Sequence, residues 1–177
     1  MRRRLLALLI VATVSGAIAA SVSGAPQQGS ARARIPALPA LREVANVCPL
    51  PARYRRAFGA AARDTNLPLA LLVAVGRVES NLRADARSVA DARGLMQVLP
   101  STALELGLDA DRPESNVLAG ARYLRLLFDR FASSDLALAA YNAGPTAVDE
   151  AGGAPTAETV SYVANVTSTW RELRGCR

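Results

Sequence analysis

From Pro51 to about Leu173 the apolar residues recur at helical rather than alternating spacing, and turn-forming residues break them into segments. Pro51 to Thr65 is predicted as the first helix, with Tyr54, Phe58 and Ala61 on one side and Asn66 as its stop. Leu69 to Ser80 follows, opened by Pro68, whose missing N–H costs nothing at a first helical position. On that helix Leu72, Val75, Gly76 and Glu79 share a side, so a carboxylate continues an apolar stripe. Asn81 to Arg93 reads as irregular, and Gly94 to Leu99 as short and apolar. Pro100-Ser101-Thr102-Ala103 starts a helix that Gly107 ends. The longest helix is predicted over Glu114 to Phe131, where Val117, Ala121, Leu124, Phe128 and Phe131 form a stripe widened by Leu118 and Leu127. Asp135 to Tyr141 is a further helix with Ser134 as its N-cap, stopped by Asn142-Ala143-Gly144-Pro145. Thr156 caps the last, which runs to about Leu173 and carries Tyr162, Val163, Val166 and Trp170. No strand-like alternation is long enough to matter, so the fold class is mainly α, a single helical domain at 48–177.

Ahead of that domain the pattern changes. Met1-Arg2-Arg3-Arg4 and the apolar run Leu5 to Ile18 form a charged and then a hydrophobic region, followed by the small residues of a cleavage site. Residues 1–25 are read as a secretory signal peptide, cut after Ala19, Ala20 or Ala25, with an uncleaved signal-anchor as the alternative. Residues 26–47 read as a flexible linker. Three of the charges behind the formal +6 lie in the leader at Arg2, Arg3 and Arg4, which leaves the mature chain about +3. All 21 basic residues are Arg, scattered over several helices beside four Tyr and one Trp, which argues against a nucleic-acid partner. The absence of His removes His-based triads and most zinc sites. Cys48 and Cys176 flank the domain, and an exported protein is expected to join them in a disulfide; two separate thiols are the alternative.

Candidate chemistry centres on Glu79. A carboxylate at a helix C-terminus faces the negative end of the macrodipole, and apolar surroundings disfavour its charge in the same direction. A carboxyl that stays neutral near pH 7 can serve as a general acid. The plainer reading is a surface glutamate at a fraying helix end. Gly94-Leu95-Met96-Gln97 offers a tight turn with a polar side chain among apolar neighbours, able to grip a ligand's amide or hydroxyl or merely to complete a turn. Ala140-Tyr141-Asn142-Ala143-Gly144-Pro145 is a helix stop that also lets Tyr141 present its hydroxyl to Glu79.

Taken in order, Glu79-Ser80, Ser88, Gly94-Leu95-Met96-Gln97, Asn116-Val117 with Gly120 and Tyr123-Leu124, Ala139 to Pro145, and Glu158-Thr159 with Tyr162-Val163 resemble the soluble lytic transglycosylase family. The resemblance covers roughly Pro68 to Val166. It implies a lysozyme-like fold of the goose-type kind and cleavage of the β-1,4 bond between N-acetylmuramic acid and N-acetylglucosamine in peptidoglycan. Glu79 matches the single catalytic acid/base. Ser88 and Gln97 match positions lining the sugar site, with Ser88 near the acetamido group. Tyr141 matches the tyrosine approaching the catalytic carboxyl, with Asn142 beside it, and Tyr162 a tyrosine that closes the groove. No metal or cofactor is implied, and the partners are peptidoglycan glycan strands met by an exported monomer, periplasmic or in the cell wall, with no stable membrane insertion once the leader is gone. A hydrolytic muramidase and a non-catalytic glycan-binding module are the alternatives. Two departures stand out: Asp91-Ala92-Arg93 replaces the small residue, often Gly, usual before Gly94, and Leu99 stands where Met is common. An Asp91 facing the sugar would be a second carboxylate able to hold a water; an Asp91 paired with Arg87 or Arg93 would not.

Overall fold

The computed structural model describes residues 47–176 of the chain. Seven helices run in order: α1 (Ala52–Thr65), α2 (Leu69–Ser80), α3 (Pro100–Glu105), α4 (Pro113–Arg130), α5 (Ser134–Ala143), α6 (Pro145–Ala151) and α7 (Ala157–Glu172). Among the described residues there is no strand; two isolated bridges, Arg87 to Arg93 and Arg93 to Val98, pin the loop between α2 and α3.

The centre is α2. Every residue from Ala70 to Gly76 is buried, with Leu71, Leu72, Val73 and Val75 shut off from solvent altogether. A helix apolar on all sides belongs inside a packed domain. The stripe seen in the sequence is therefore only part of the buried surface, and α1 and α7 pack against α2. The apolar side of α1 (Tyr54, Phe58, Ala61) is buried as its spacing implies, and α1 lies along α4. Arg122 of α4 ties the same pair of helices together through a two-pronged bond to Asp64 of α1, at 2.9 Å for both contacts. Behind α4, α5 packs against α4, α6 and α7.

Local chemistry explains most of the boundaries. Asn66 and Asn81 take left-handed conformations after α1 and α2, with φ of 53° and 52°, a turn asparagine tolerates. Pro100, Pro113 and Pro145 open α3, α4 and α6 at positions where a missing N–H is harmless. Thr156 caps α7, its hydroxyl accepting from the Thr159 amide at 3.1 Å.

Several expected boundaries shift. Pro51 and Pro68 flank α1 and α2 instead of joining them. Ser133, not Ser134, occupies the cap position of α5, without a side-chain bond to the helix. That helix runs two residues past Tyr141, to Ala143. Gly144-Pro145 is more than a stop: Gly144 turns at φ 86° and Pro145 starts a further helix, α6. Cys48 and Cys176 are joined in a disulfide. The signal peptide (1–25) and all but the last residue of the 26–47 linker lie outside the described residues. No described helix is long and apolar enough to cross a membrane.

Candidate active site

Glu79 is the penultimate residue of α2, half-buried where the central helix reaches the surface. Its Oε1 accepts a 2.7 Å hydrogen bond from the hydroxyl of Tyr162 on α7. Burial pushes the carboxyl up to about 7, while the Tyr162 bond pulls it down. Burial wins because stripping water from a carboxylate costs more than one phenol returns. Tyr162 and Tyr141 are themselves pushed well above the usual phenol range, by burial and then by the Glu79 charge. Both therefore stay protonated and remain donors.

Of the two tyrosines, Tyr162 rather than Tyr141 donates to the carboxyl. Tyr141 does not donate to Glu79; its hydroxyl donates to the carbonyl of Met96 at 2.9 Å. The carboxyl is instead met by Tyr162, expected only to close the groove. The reason is local: α5 places Tyr141 beside the Gly94–Gln97 turn, where a backbone carbonyl competes for its proton.

Three residues seat that turn against the helices. Ser80 Oγ lies 2.8 Å from Leu95 O and accepts from the Arg83 amide at 3.2 Å, so the residue after the acid staples α2 to the loop. Asn116 of α4, buried to 1% exposure, accepts from the Met96 amide at 2.9 Å and donates to Arg93 O at 2.7 Å and Ala110 O at 2.9 Å. Gly120, one turn further along α4, leaves room where a Cβ would stand 2.5 Å from Met96 Cβ and 2.8 Å from the Tyr141 hydroxyl. Ser80, Asn116 and Gly120 were visible in the motif series, but nothing in their residue types announced these supporting roles.

Gln97 sits at φ 45° and donates its Nε2 to Gly94 O at 3.0 Å and Ala86 O at 3.2 Å. Part of its amide is thus committed to its own turn. Gln97, Tyr141 and Asn142 line one cleft of about 230 Å³, with Thr102 and Tyr123 among its other walls. The Tyr123 and Tyr141 rings meet there with centroids 5.5 Å apart. Ser88 is not among the residues of this cleft. It is exposed in a turn, its hydroxyl accepting from the Ala92 amide at 3.0 Å.

Asp91 is paired with arginines. It sits at φ 63°, the conformation that explains why a glycine would suit this place. Its carboxylate takes two bonds from Arg93, at 3.1 and 2.9 Å, and lies 3.6 Å from Arg87. Asp111 bonds the same two arginines. Arg93 holds the Asp91 carboxyl below its ordinary range, so it is ionised and occupied.

The family description "Transglycosylase SLT domain" matches residues 56–162. A membrane-bound lytic murein transglycosylase F of Maricaulis maris is 42% identical over 113 residues, covering 59% of this chain and 24% of that protein. A transglycosylase of Enterobacteria phage PRD1 is 39% identical over 88 residues, 49% of this chain and 33% of its own. Among solved structures, an inactive Glu-to-Gln variant of the lytic transglycosylase Slt from Pseudomonas aeruginosa superposes with a TM-score of 0.63 at 30% identity, over 72% of this chain and 25% of that one. The 70 kDa soluble lytic transglycosylase of Escherichia coli follows at 0.62 and 27%, over 68% and 24%. The matched region thus spans about a quarter of the length of the bacterial relatives.

Proposed function

This chain belongs to the transglycosylase SLT domain family, and on that premise we propose that it is a peptidoglycan lytic transglycosylase with Glu79 as its single acid/base. The observation that carries the reading is a half-buried carboxyl, neutral up to about pH 7, with a phenol as its bonded partner. Such a group can protonate the glycosidic oxygen of the β-1,4 bond as the bond breaks. The acetamido oxygen of the muramic sugar attacks C1 from the other side, which dispenses with a second carboxylate. Glu79, now ionised and steadied by the Tyr162 hydroxyl, then takes the proton from the C6 hydroxyl. That oxygen attacks C1, releases the acetamido group and closes a 1,6-anhydro ring. The attack is intramolecular and gains from proximity.

Gln97, Tyr141 and Asn142 line the cleft that takes the sugar in this reading, and Tyr123 extends its wall. Ser88 keeps a hydroxyl proton to offer after accepting from Ala92, and is assigned to the acetamido side. The grip of two arginines on Asp91 supports ring closure over hydrolysis, because an occupied carboxylate is a poor holder of a water. Residues 1–25 are assigned as an export signal, 26–47 as a linker and 48–177 as the catalytic unit, working outside the cytoplasm on glycan strands. The Cys48–Cys176 disulfide supports an oxidising compartment.

Digestion of purified sacculi tests the reading. Mass spectrometry is expected to find anhydromuropeptides, each one water lighter than a hydrolysed product, and none from Glu79→Gln. Reducing-end products would make the protein a muramidase. Sacculus binding without release of soluble fragments would make it a binding module.

A further inference from the structure

A cleft of about 650 Å³ opens at the opposite end of α2 from the acid, where Leu69 and Ala70 begin the helix. Ten helical steps separate Leu69 from Glu79, about 15 Å at 1.5 Å per residue. This cleft therefore lies outside the surroundings of the acid. Arg171, in the last turn of α7, and Arg174, in the turn just after it, line it and are exposed. Neither forms an ion pair among the described residues. The first residues of α2 and α5 line it too. Thr167 Oγ1, also on the lining residues, is buried without a hydrogen-bond partner among the described residues. Trp170, the chain's single tryptophan, is half-buried against the same space. Asp135 supplies a carboxylate from α5.

These groups ask for a particular chemistry. Two unpaired guanidiniums lining one cleft suit a carboxylate. Asp135, exposed on the same cleft, suits a cation and opposes a polyanion such as nucleic acid. The indole offers an apolar wall for a small side chain. We infer that this cleft binds a zwitterionic peptide, its free carboxylate on Arg171 and Arg174 and its ammonium on Asp135. Resting on the proposed function, the natural occupant is a peptidoglycan stem peptide carried by a disaccharide other than the one being cut. The cleft then anchors the domain to the wall and leaves the chemistry to Glu79.

Trp170 makes the test direct, since all tryptophan emission comes from the cleft. The full chain, disulfide intact, is titrated with a synthetic stem tetrapeptide of alanine, isoglutamate and a diamino acid with a free C-terminal carboxylate. The same peptide with that carboxylate amidated is the control. The free peptide is expected to shift the emission and saturate, and its amide to bind at least about tenfold more weakly, as losing a charge-assisted bond implies. Arg171→Gln and Arg174→Gln are each expected to weaken binding about tenfold. Both variants should cleave peptide-free glycan strands at the unaltered rate while KM for intact sacculi rises. Unchanged emission at saturating peptide, an equal response to the amide, wild-type binding by both variants, or equal competition by inorganic phosphate would each overturn the assignment. Binding is read without turnover, so a protein that takes the peptide but cuts no sacculi would refute the proposed activity alone.

Discussion

Glu79 keeps its proton up to about pH 7, from an ordinary value of 4.5, because burial outweighs the Tyr162 bond. The unfolded chain releases that proton near pH 4.5 and the folded protein only near 7. Between the two the folded state binds more protons, so this group's contribution to stability falls as pH rises. The whole loss is about 3 kcal/mol. Glu79→Gln mimics the neutral form at every pH. Urea unfolding is expected to find it equal to the wild type near pH 4 and more stable by up to about 3 kcal/mol above pH 7.5. Equal stability at pH 8 would mean that the carboxyl is solvated. In the same series Tyr162→Phe removes the bond that favours the ionised form, and is expected to move the alkaline fall of cleavage to higher pH. The sequence placed a tyrosine against Glu79 but named Tyr141, because a motif shows which residues recur together and not which hydroxyl wins which acceptor.

At the scale of elements, the site depends on the loop between α2 and α3 resting on α4. Gly94 at φ 70° approaches the Asn116 side chain so closely that a Cβ would stand 2.8 Å from it. Gly120 opens the gap for Met96 and Tyr141. A methyl at Gly120 meets Met96 Cβ, an atom that cannot swing aside. Gly120→Ala is therefore expected to cost about 1–3 kcal/mol and to lower cleavage by displacing Tyr141. Gly59, inside α1, meets only the tip of Arg63 at 3.5 Å. Gly59→Ala is expected to gain about 0.5–1 kcal/mol with activity intact. Denaturant midpoints of the two variants should move in opposite directions. Periodicity and turn residues located six of the seven helices within a few residues. Neither α3 nor α6 is long enough to show a period; α3 is marked by Pro100 and the Gly107 stop, whereas the Gly144-Pro145 that opens α6 reads as readily as an ending.

On the scale of the whole molecule, the disulfide joins residues 128 apart and so ties the two ends of the described domain. Closing so long a loop in the unfolded chain is worth about 5 kcal/mol on the entropy argument. The bond lies beside the cleft at the start of α2, away from Glu79. The Cys48→Ala, Cys176→Ala double variant is expected to melt about 15–25 °C below the oxidised wild type, a gap that closes in buffer reducing enough to open the wild-type bond, while cleaving at the native rate at 25 °C. A matching loss of activity at that temperature would tie the bond to the site.

By itself the sequence determined that the domain is helical, where most helices lie and that Glu79 stands at an apolar helix end. Those properties follow from spacing along the chain, which local sterics and the hydrophobic stripe turn directly into structure. The helix spacing could not show that α2 would be buried on every side, since a stripe marks one neighbour and α2 has several. Nor could it choose between Tyr141 and Tyr162 as the carboxyl's partner, or between the sugar and two arginines for Asp91. Those outcomes are competitions among groups distant in sequence, decided by which donor lies nearest once the helices have packed. The proton on Glu79 belongs to both accounts: the helix end places the carboxyl, and the closing of α7 over it withholds the water that would have taken the proton away.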